Sequence, residues 1–185
     1  DWYCDPSSLP NLLNYLENNS PISAYKEEAT IKLSDDDATQ YPYLYLTGHG
    51  NIKLNENEII ALRSILLGGS FMHVDDNYGL DKSFRREIKK VFPKKELVEL
   101  PKDHEIFNSY FYFPDGLPKV HEHDKKPPQA FALFDEQRMI LLYTYESDLG
   151  DGWEREGENH WYFKNFSEKY AYPMGINILV YAMTH

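Results

Sequence analysis

The chain has 185 residues, 15% of them aromatic, and its 30 acidic and 19 basic residues give a formal net charge of −11. That length and apolar content suit one globular domain spanning residues 1–185 and argue against disorder. An acidic chain with no Lys/Arg stripe is unsuited to nucleic acid, and its charge fits a surface kept soluble by repulsion.

Cys4 is the only cysteine, so there is neither an intrachain disulfide nor a thiolate metal cluster. No run reaches the roughly twenty apolar residues of a transmembrane helix. In chain order, Ser8 is placed to cap a helix with Leu9, Leu12, Leu13 and Leu16 on one face, ended by Asn18-Asn19-Ser20-Pro21. Ile31 and Leu33 are a weak strand candidate before a polar loop with three consecutive aspartates.

Tyr43-Leu44-Tyr45-Leu46 has strand length and stops at Thr47-Gly48-His49-Gly50. Asn55 and Glu58 have the spacing of a capping box, and Ile59, Leu62, Ile65 and Leu66 recur at helical spacing up to Gly68-Gly69. A second apolar run, Phe71-Met72-His73-Val74, ends in Asp75-Asp76-Asn77-Tyr78-Gly79. This is a βαβ crossover with a polar turn at each strand exit, where open parallel sheets place their ligand crevices.

Asp81 can cap a further helix that turns Phe84, Ile88, Val91 and Phe92 inward and Arg85, Arg86, Lys89 and Lys90 outward. Residues 96–100 alternate like a short strand, residues 104–107 suggest a turn of helix, and aromatics alternate over residues 110–113. Residues 117–124 read as extended. Phe131 to Phe134 and Met139 to Tyr145 form a hairpin through Asp135-Glu136-Gln137-Arg138, and a C-terminal helix carries Ile176, Leu179, Val180 and Met183, with Pro173 at its start or at a kink.

Four groups of residues can carry chemistry. Asp75, Asp76 and Asn77 stand where a strand turns into a helix; an aspartate there suits a metal or a general base, and equally a turn former or cap. His121 and His123, two apart on an extended segment, point to one side and with Asp124 suit a divalent metal ion, or else face solvent beside Lys125-Lys126. Glu146, Asp148, Asp151 and Glu154, interleaved with Gly150, Gly152 and Trp153, suit a hard cation, a sugar stacked on the indole, or an exposed acidic loop. His49 between Gly48 and Gly50 can ligate or shuttle protons, or simply serve the turn, while Arg85 can reach an anionic group or remain an ordinary surface cation.

Taken together, Asp1-Trp2-Tyr3, Ser8-Leu9-Pro10-Asn11-Leu12-Leu13, Thr47-Gly48-His49-Gly50-Asn51, Asp75-Asp76-Asn77-Tyr78-Gly79, Arg85-Arg86-Glu87, His121-Glu122-His123-Asp124, the run from Tyr143 through Glu154 and Met174-Gly175-Ile176-Asn177 span nearly the whole chain. In these motifs the chain resembles the bacterial family of domains of unknown function numbered 4159. The family is similar to class I glutamine amidotransferase-like and trehalose-utilisation-like domains. The resemblance therefore implies a flavodoxin-like three-layer α/β/α sandwich, mainly parallel, with an added antiparallel hairpin. It also implies an export signal and a strand upstream of Asp1-Trp2-Tyr3, and a periplasmic or cell-envelope location. It assigns no catalytic residue. Amidotransferases carry a cysteine nucleophile at the position where this chain has Asp75-Asp76, which speaks against glutaminase chemistry.

The resulting expectation is a crevice gathering His49, Asp75, Asp76, His121, His123, Glu146 and Asp148. Gly48, Gly50, Asn77, Arg85, Asp148, Asp151 and Trp153 would contact the ligand. Two functions follow: a metal- or carboxylate-assisted hydrolase or lyase acting on a small polar, carbohydrate-like substrate, or a non-catalytic module of an envelope assembly that meets a protein partner through residues 110–113.

Overall fold

The structure, a computed structural model, describes residues 6–25, 27–154, 157 and 159–185. Asp1-Trp2-Tyr3 and Cys4, on which the expected upstream extension and the lone thiol rest, lie outside the described residues. Phe71–Asp75 (β2) is buried along its whole length, as a strand must be when it is paired on both edges and covered on both faces. It pairs in parallel with Tyr43–Leu46 (β1) on one side and Arg138–Tyr145 (β5) on the other. β5 pairs antiparallel with Gln129–Asp135 (β4), and β4 with the short Val98–Glu99 (β3). The sheet is thus mixed, in the order β1-β2-β5-β4-β3, with a parallel half and an antiparallel half meeting at β5. The β4–β5 turn has the expected form, with Glu136 at φ 53 supplying the left-handed residue that a tight hairpin needs.

Side chains alternating along the strands feed two cores, one on each face of the sheet. On one, Phe71 and Leu142 pack with Leu12 and Leu16 of Ser8–Asn19 (α1) and with Ile176 and Ile178 of Tyr172–Thr184 (α6). On the other, Met72, Val74, Leu141 and Tyr143 pack with Leu62 and Leu66 of Glu56–Leu67 (α2) and with Phe84 and Ile88 of Asp81–Val91 (α3). The capping box at α2 forms as its spacing requires: Glu58 N–H donates to Asn55 Oδ1 at 3.0 Å and Asn55 N–H to Glu58 Oε2 at 2.8 Å. α1 and α6 close on each other because Gly175 carries no side chain; a Cβ there would stand 2.5 Å from Leu12 Cδ1.

Several expected elements differ. Ser8 and Asp81 are the first residues of their helices, and neither helix has a side-chain cap. Ile31 and Leu33 form no strand; Leu33 packs on the α2/α3 core without entering the ladder. The 96–100 strand is reduced to Val98–Glu99. Residues 110–113 form no strand, because a buried side chain takes the place of a neighbouring one: Asn177 Oδ1 accepts the backbone N–H of Tyr110 at 3.1 Å and of Phe111 at 2.6 Å, and its amide donates to Phe111 O at 2.8 Å. Leu149–Gly152 (α4) is a single turn after β5, and the C-terminal helix begins earlier than its apolar spacing suggests. It runs from His160–Tyr162 (α5) through a π-helical segment, Phe163–Ala171, into α6, with Pro173 in the first turn of α6.

Replacing Asn177 with Leu removes the buried amide that these three part-buried backbone groups bond. The variant is expected to lose about 3 kcal/mol or more of unfolding free energy, read from urea denaturation.

Candidate functional site

Three parallel strands deliver three polar turns to one edge of the sheet: residues 47–50 after β1, 75–79 after β2 and 146–148 after β5. The antiparallel strand adds a fourth segment. Gln129 at the start of β4 pairs with Tyr145 at the end of β5, so the chain entering β4 must pass the same edge. Residues 117–124 are tied there by Ser147 O, which accepts the N–H groups of Val120 and His121 at 3.1 Å each. The segment, expected to be extended, enters no strand ladder and brings His121 and His123 beside the carboxylates.

Asp75 is fully buried, and both its oxygens are engaged. Oδ1 accepts from Thr144 Oγ1 at 2.5 Å; Oδ2 accepts from Gly150 N–H at 2.7 Å and from the Tyr45 hydroxyl at 3.3 Å. Burial, then the nearby Asp148 carboxylate, push its carboxyl up to about 7 against those hydrogen bonds. Asp76 is buried differently. Its Oδ2 accepts Glu146 N–H at 3.2 Å, Oδ1 has no hydrogen-bond partner, and burial raises the group to about 6.

Glu146 and Asp148 adopt left-handed backbone conformations, φ 57 and φ 55, which are sparsely populated by residues other than glycine. Both side chains are buried. Glu146 pairs with Lys119 at 2.8 Å, and Asp148 Oδ2 lies 2.9 Å from His123 Nε2, near enough to pair but off the line of an aligned hydrogen bond. Pairing with Asp148 raises the His123 imidazole above its ordinary value, and burial opposes it. The His121 ring stacks on that of His123, centroids 5.1 Å apart, and its Nδ1 meets Asp151 Oδ2 at 2.9 Å. The same Asp151 oxygen accepts from Tyr162 at 2.5 Å. Burial would raise Asp151, but the bonds from His121 and Tyr162 outweigh it and hold the carboxyl below its usual range.

Among the described residues, the buried side-chain polar atoms without an aligned hydrogen-bond partner are Thr47 Oγ1, Asp76 Oδ1, His123 Nε2 and Asp148 Oδ1. All four belong to the segments gathered at this edge. Native interiors leave few polar atoms unpaired, and each unpaired atom carries a desolvation cost of about 1–3 kcal/mol.

The other candidate residues are placed less centrally. His49 is exposed on the first exit turn, flanked by Gly48 at φ 137 and Gly50 at φ 89. Asn77 is buried beside Asp76, and its Oδ1 accepts Tyr78 N–H at 2.9 Å. Arg85 bonds Asp81 at 2.6 Å and lies over the Phe131 ring at 4.4 Å, on the α2/α3 side of the sheet. Trp153 cannot stack on a sugar: it is fully buried in the α1/α6 core and its indole donates to Ala171 O at 2.8 Å. His121, His123 and Asp124 do not act as one donor set, because each faces a different charged partner, Asp124 lying 3.4 Å from Lys126 Nζ. Among the described residues, no three His, Cys, Asp or Glu side chains stand together so as to hold a metal ion. Lys119, Thr47 and Tyr162 join the site without any spacing signal; only the neighbouring Gly48 could have drawn attention to Thr47.

The family model described as Domain of unknown function (DUF4159) matches residues 1–183. The chain belongs to the DUF4159 family. No curated protein matches it. The match spans every element of the DUF4159 sheet and every residue of the strand-exit edge. No helix among the described residues is long and apolar enough to cross a membrane.

The pKa directions give this edge a definite pH dependence. Asp75, Asp76 and His123 all titrate higher in the folded chain, so the stability they contribute is present at low pH and lost as pH rises through their folded values. Glu87, which its bond from Lys90 pulls down to about 2, acts in the opposite sense below about pH 4.5, and the buried His73, depressed to about 3, does so from about pH 6.5 downward. Across about pH 5 to 8 these effects partly offset, and removing one of them is diagnostic: Asp76→Asn is expected to raise stability at about pH 8 relative to about pH 5 by about 1 kcal/mol in urea unfolding, compared with the unaltered chain. Zinc, manganese or calcium is expected to leave the melting temperature within about 1 °C, since stabilisation by a ligand requires a site that favours the folded state.

Proposed function

We propose that the exits of β1, β2 and β5 form a crevice for a small, hydroxyl-rich ligand of the carbohydrate kind, on which Asp76 and His123 act as an acid–base couple. The observation that carries this reading is the gathering of Asp76 Oδ1, Asp148 Oδ1, His123 Nε2 and Thr47 Oγ1 at one edge, buried and without aligned partners. Hydroxyl groups both donate and accept, so one ligand would satisfy carboxylate and imidazole together. Asp76, raised to about 6, lies close to neutrality, where proton transfer is most effective, and the His123 imidazole is raised above its ordinary value by Asp148, which favours its protonated form. In hydrolysis, Asp76 would take a proton from the attacking water as it adds and His123 would give one to the departing oxygen; in elimination, Asp76 would take the proton from the carbon next to the one that bears the departing oxygen, the double bond forming as that C–O bond breaks and His123 protonates the oxygen.

The finer fold assignment, a flavodoxin-like sandwich of the class I amidotransferase kind, is part of this proposal, as is a periplasmic or cell-envelope location. Helices on both faces of the sheet support the first; both also rest on the resemblance. A second reading, a non-catalytic module that meets an envelope partner, is favoured by one feature: the segment 110–113 carries Tyr112 at 77% exposure.

The test is a ligand titration followed by backbone amide NMR, using glucose, maltose and inositol. Shift changes confined to residues 47, 76, 123 and 148, with affinity falling about tenfold in Asp76→Asn, are expected. Shifts scattered elsewhere, or none with any of the three probes, would retire the carbohydrate reading in favour of the second.

A further inference from the structure

Asp75 stands at the edge of the proposed crevice but turns its carboxylate away from it. It ends a chain of buried polar side chains that crosses the three parallel strands on the α1/α6 face. Tyr43 OH lies 2.9 Å from His73 Nδ1, His73 Nε2 lies 2.9 Å from Thr144 Oγ1, and Thr144 Oγ1 lies 2.5 Å from Asp75 Oδ1. Counting protons fixes its direction. An ionised carboxylate only accepts, so the single hydroxyl proton of Thr144 points at Oδ1. Thr144 must then accept from His73, which puts the ring proton on Nε2 and leaves Nδ1 to accept from Tyr43. Three donors in series aim at one buried oxygen, while Oδ2 takes the Gly150 N–H at 2.7 Å.

We infer that Asp75 is a positioning residue whose anionic form accepts the Thr144 proton at the end of the Tyr43–His73–Thr144 relay, and that through Gly150 it pins the turn that carries Asp148 into the crevice. Gly150 lies two residues beyond Asp148, whose left-handed backbone requires a firm neighbour. When Asp75 takes a proton, the Thr144 hydroxyl is free to turn to Val74 O, 3.3 Å away, and Gly150 loses its charged acceptor. The titratable groups facing Asp75 are Asp148 from the β5 exit, Tyr43 and Tyr45 from β1 and His73 from β2. His73 stays neutral because burial depresses it to about 3. Asp75 itself titrates near about 7, so the pin weakens as pH falls through neutrality. The inference rests on the proposed crevice only in that Asp148 belongs to it.

The experiment uses the isotope-labelled chain without ligand. In the unaltered protein, nitrogen shifts at about pH 8 are expected to place the His73 proton on Nε2, and the Gly150 amide shift is expected to titrate with a midpoint near about 7. In Thr144→Val, Gly150 amide exchange is expected to quicken about tenfold and the His123 midpoint to fall toward its ordinary value, whereas Thr144→Ser behaves like the unaltered chain. A proton on His73 Nδ1 at that pH, or a Gly150 amide indifferent both to pH and to Thr144→Val, would overturn the inference. Should Thr144→Val not fold, the His73 tautomer and the Gly150 titration of the unaltered chain decide. Because no ligand is present, failure of the carbohydrate titrations would leave this result standing, and failure here would leave the crevice untouched.

Discussion

A carboxylate sealed at the end of a central strand must be surrounded by donors, and around Asp75 these come from three different elements. Thr144 belongs to β5, Tyr45 to β1 and Gly150 to the turn after β5. One side chain therefore joins three pieces of backbone that ladder hydrogen bonds alone would leave free beyond the last paired residues. Burying an ionisable group costs several kcal/mol unless it is fully satisfied, so any rearrangement of that edge is penalised from all three directions at once. The order of the neighbouring site follows: Glu146 and Asp148 keep strained backbones, and Asp76 takes its single bond from Glu146 N–H, inside a frame that Asp75 closes from below.

The edge carries an excess of acid, yet its charges are apportioned. Lys119 answers Glu146, His123 answers Asp148, and His121 with Tyr162 answers Asp151. Asp76, like the sealed Asp75, has no cation in direct contact, and burial lifts both above the usual carboxylate range. Burial favours the neutral form of an acid left without a counter-ion, and such separation of neighbouring acids is how one site comes to contain both an acid and a base.

How much of this could be read from residues alone depended on whether the signal was local. The crossover through β1, α2 and β2, the Asn55/Glu58 capping box and the β4–β5 hairpin are written in short-range periodicity and turn chemistry, and they formed close to their expected bounds. Residues whose backbone partners lie far away in the chain were not legible in this way. The 110–113 segment alternates like a strand, but the amide of Asn177, from α6, occupies its hydrogen bonds. Ile31 and Leu33 have strand-like residues and no neighbouring ladder. At the site, the turns at Asp75-Asp76 and Glu146–Asp148 were visible as acids after apolar runs. The pairing of each histidine with its own aspartate was not, since two imidazoles spaced for one ion can as readily turn to two carboxylates. Trp153 looked like a platform because of its acidic neighbours, and only packing against α6 revealed it as core.

The mixed character of the sheet has a consequence for how such a domain can diversify. Asp75 and Asp76 stand at the turn from β2 into α3, and Glu146 and Asp148 at the exit of β5, where helices pack on both faces of the sheet. The imidazoles come from the approach to an antiparallel strand, a stretch anchored by Ser147 O and by the buried Leu117 and Val120. Substitutions at His121 and His123, beside those anchors, can exchange one set of donors for another without touching the strand exits. The molecule thus builds its acidic floor and its imidazole cover from separate segments of chain.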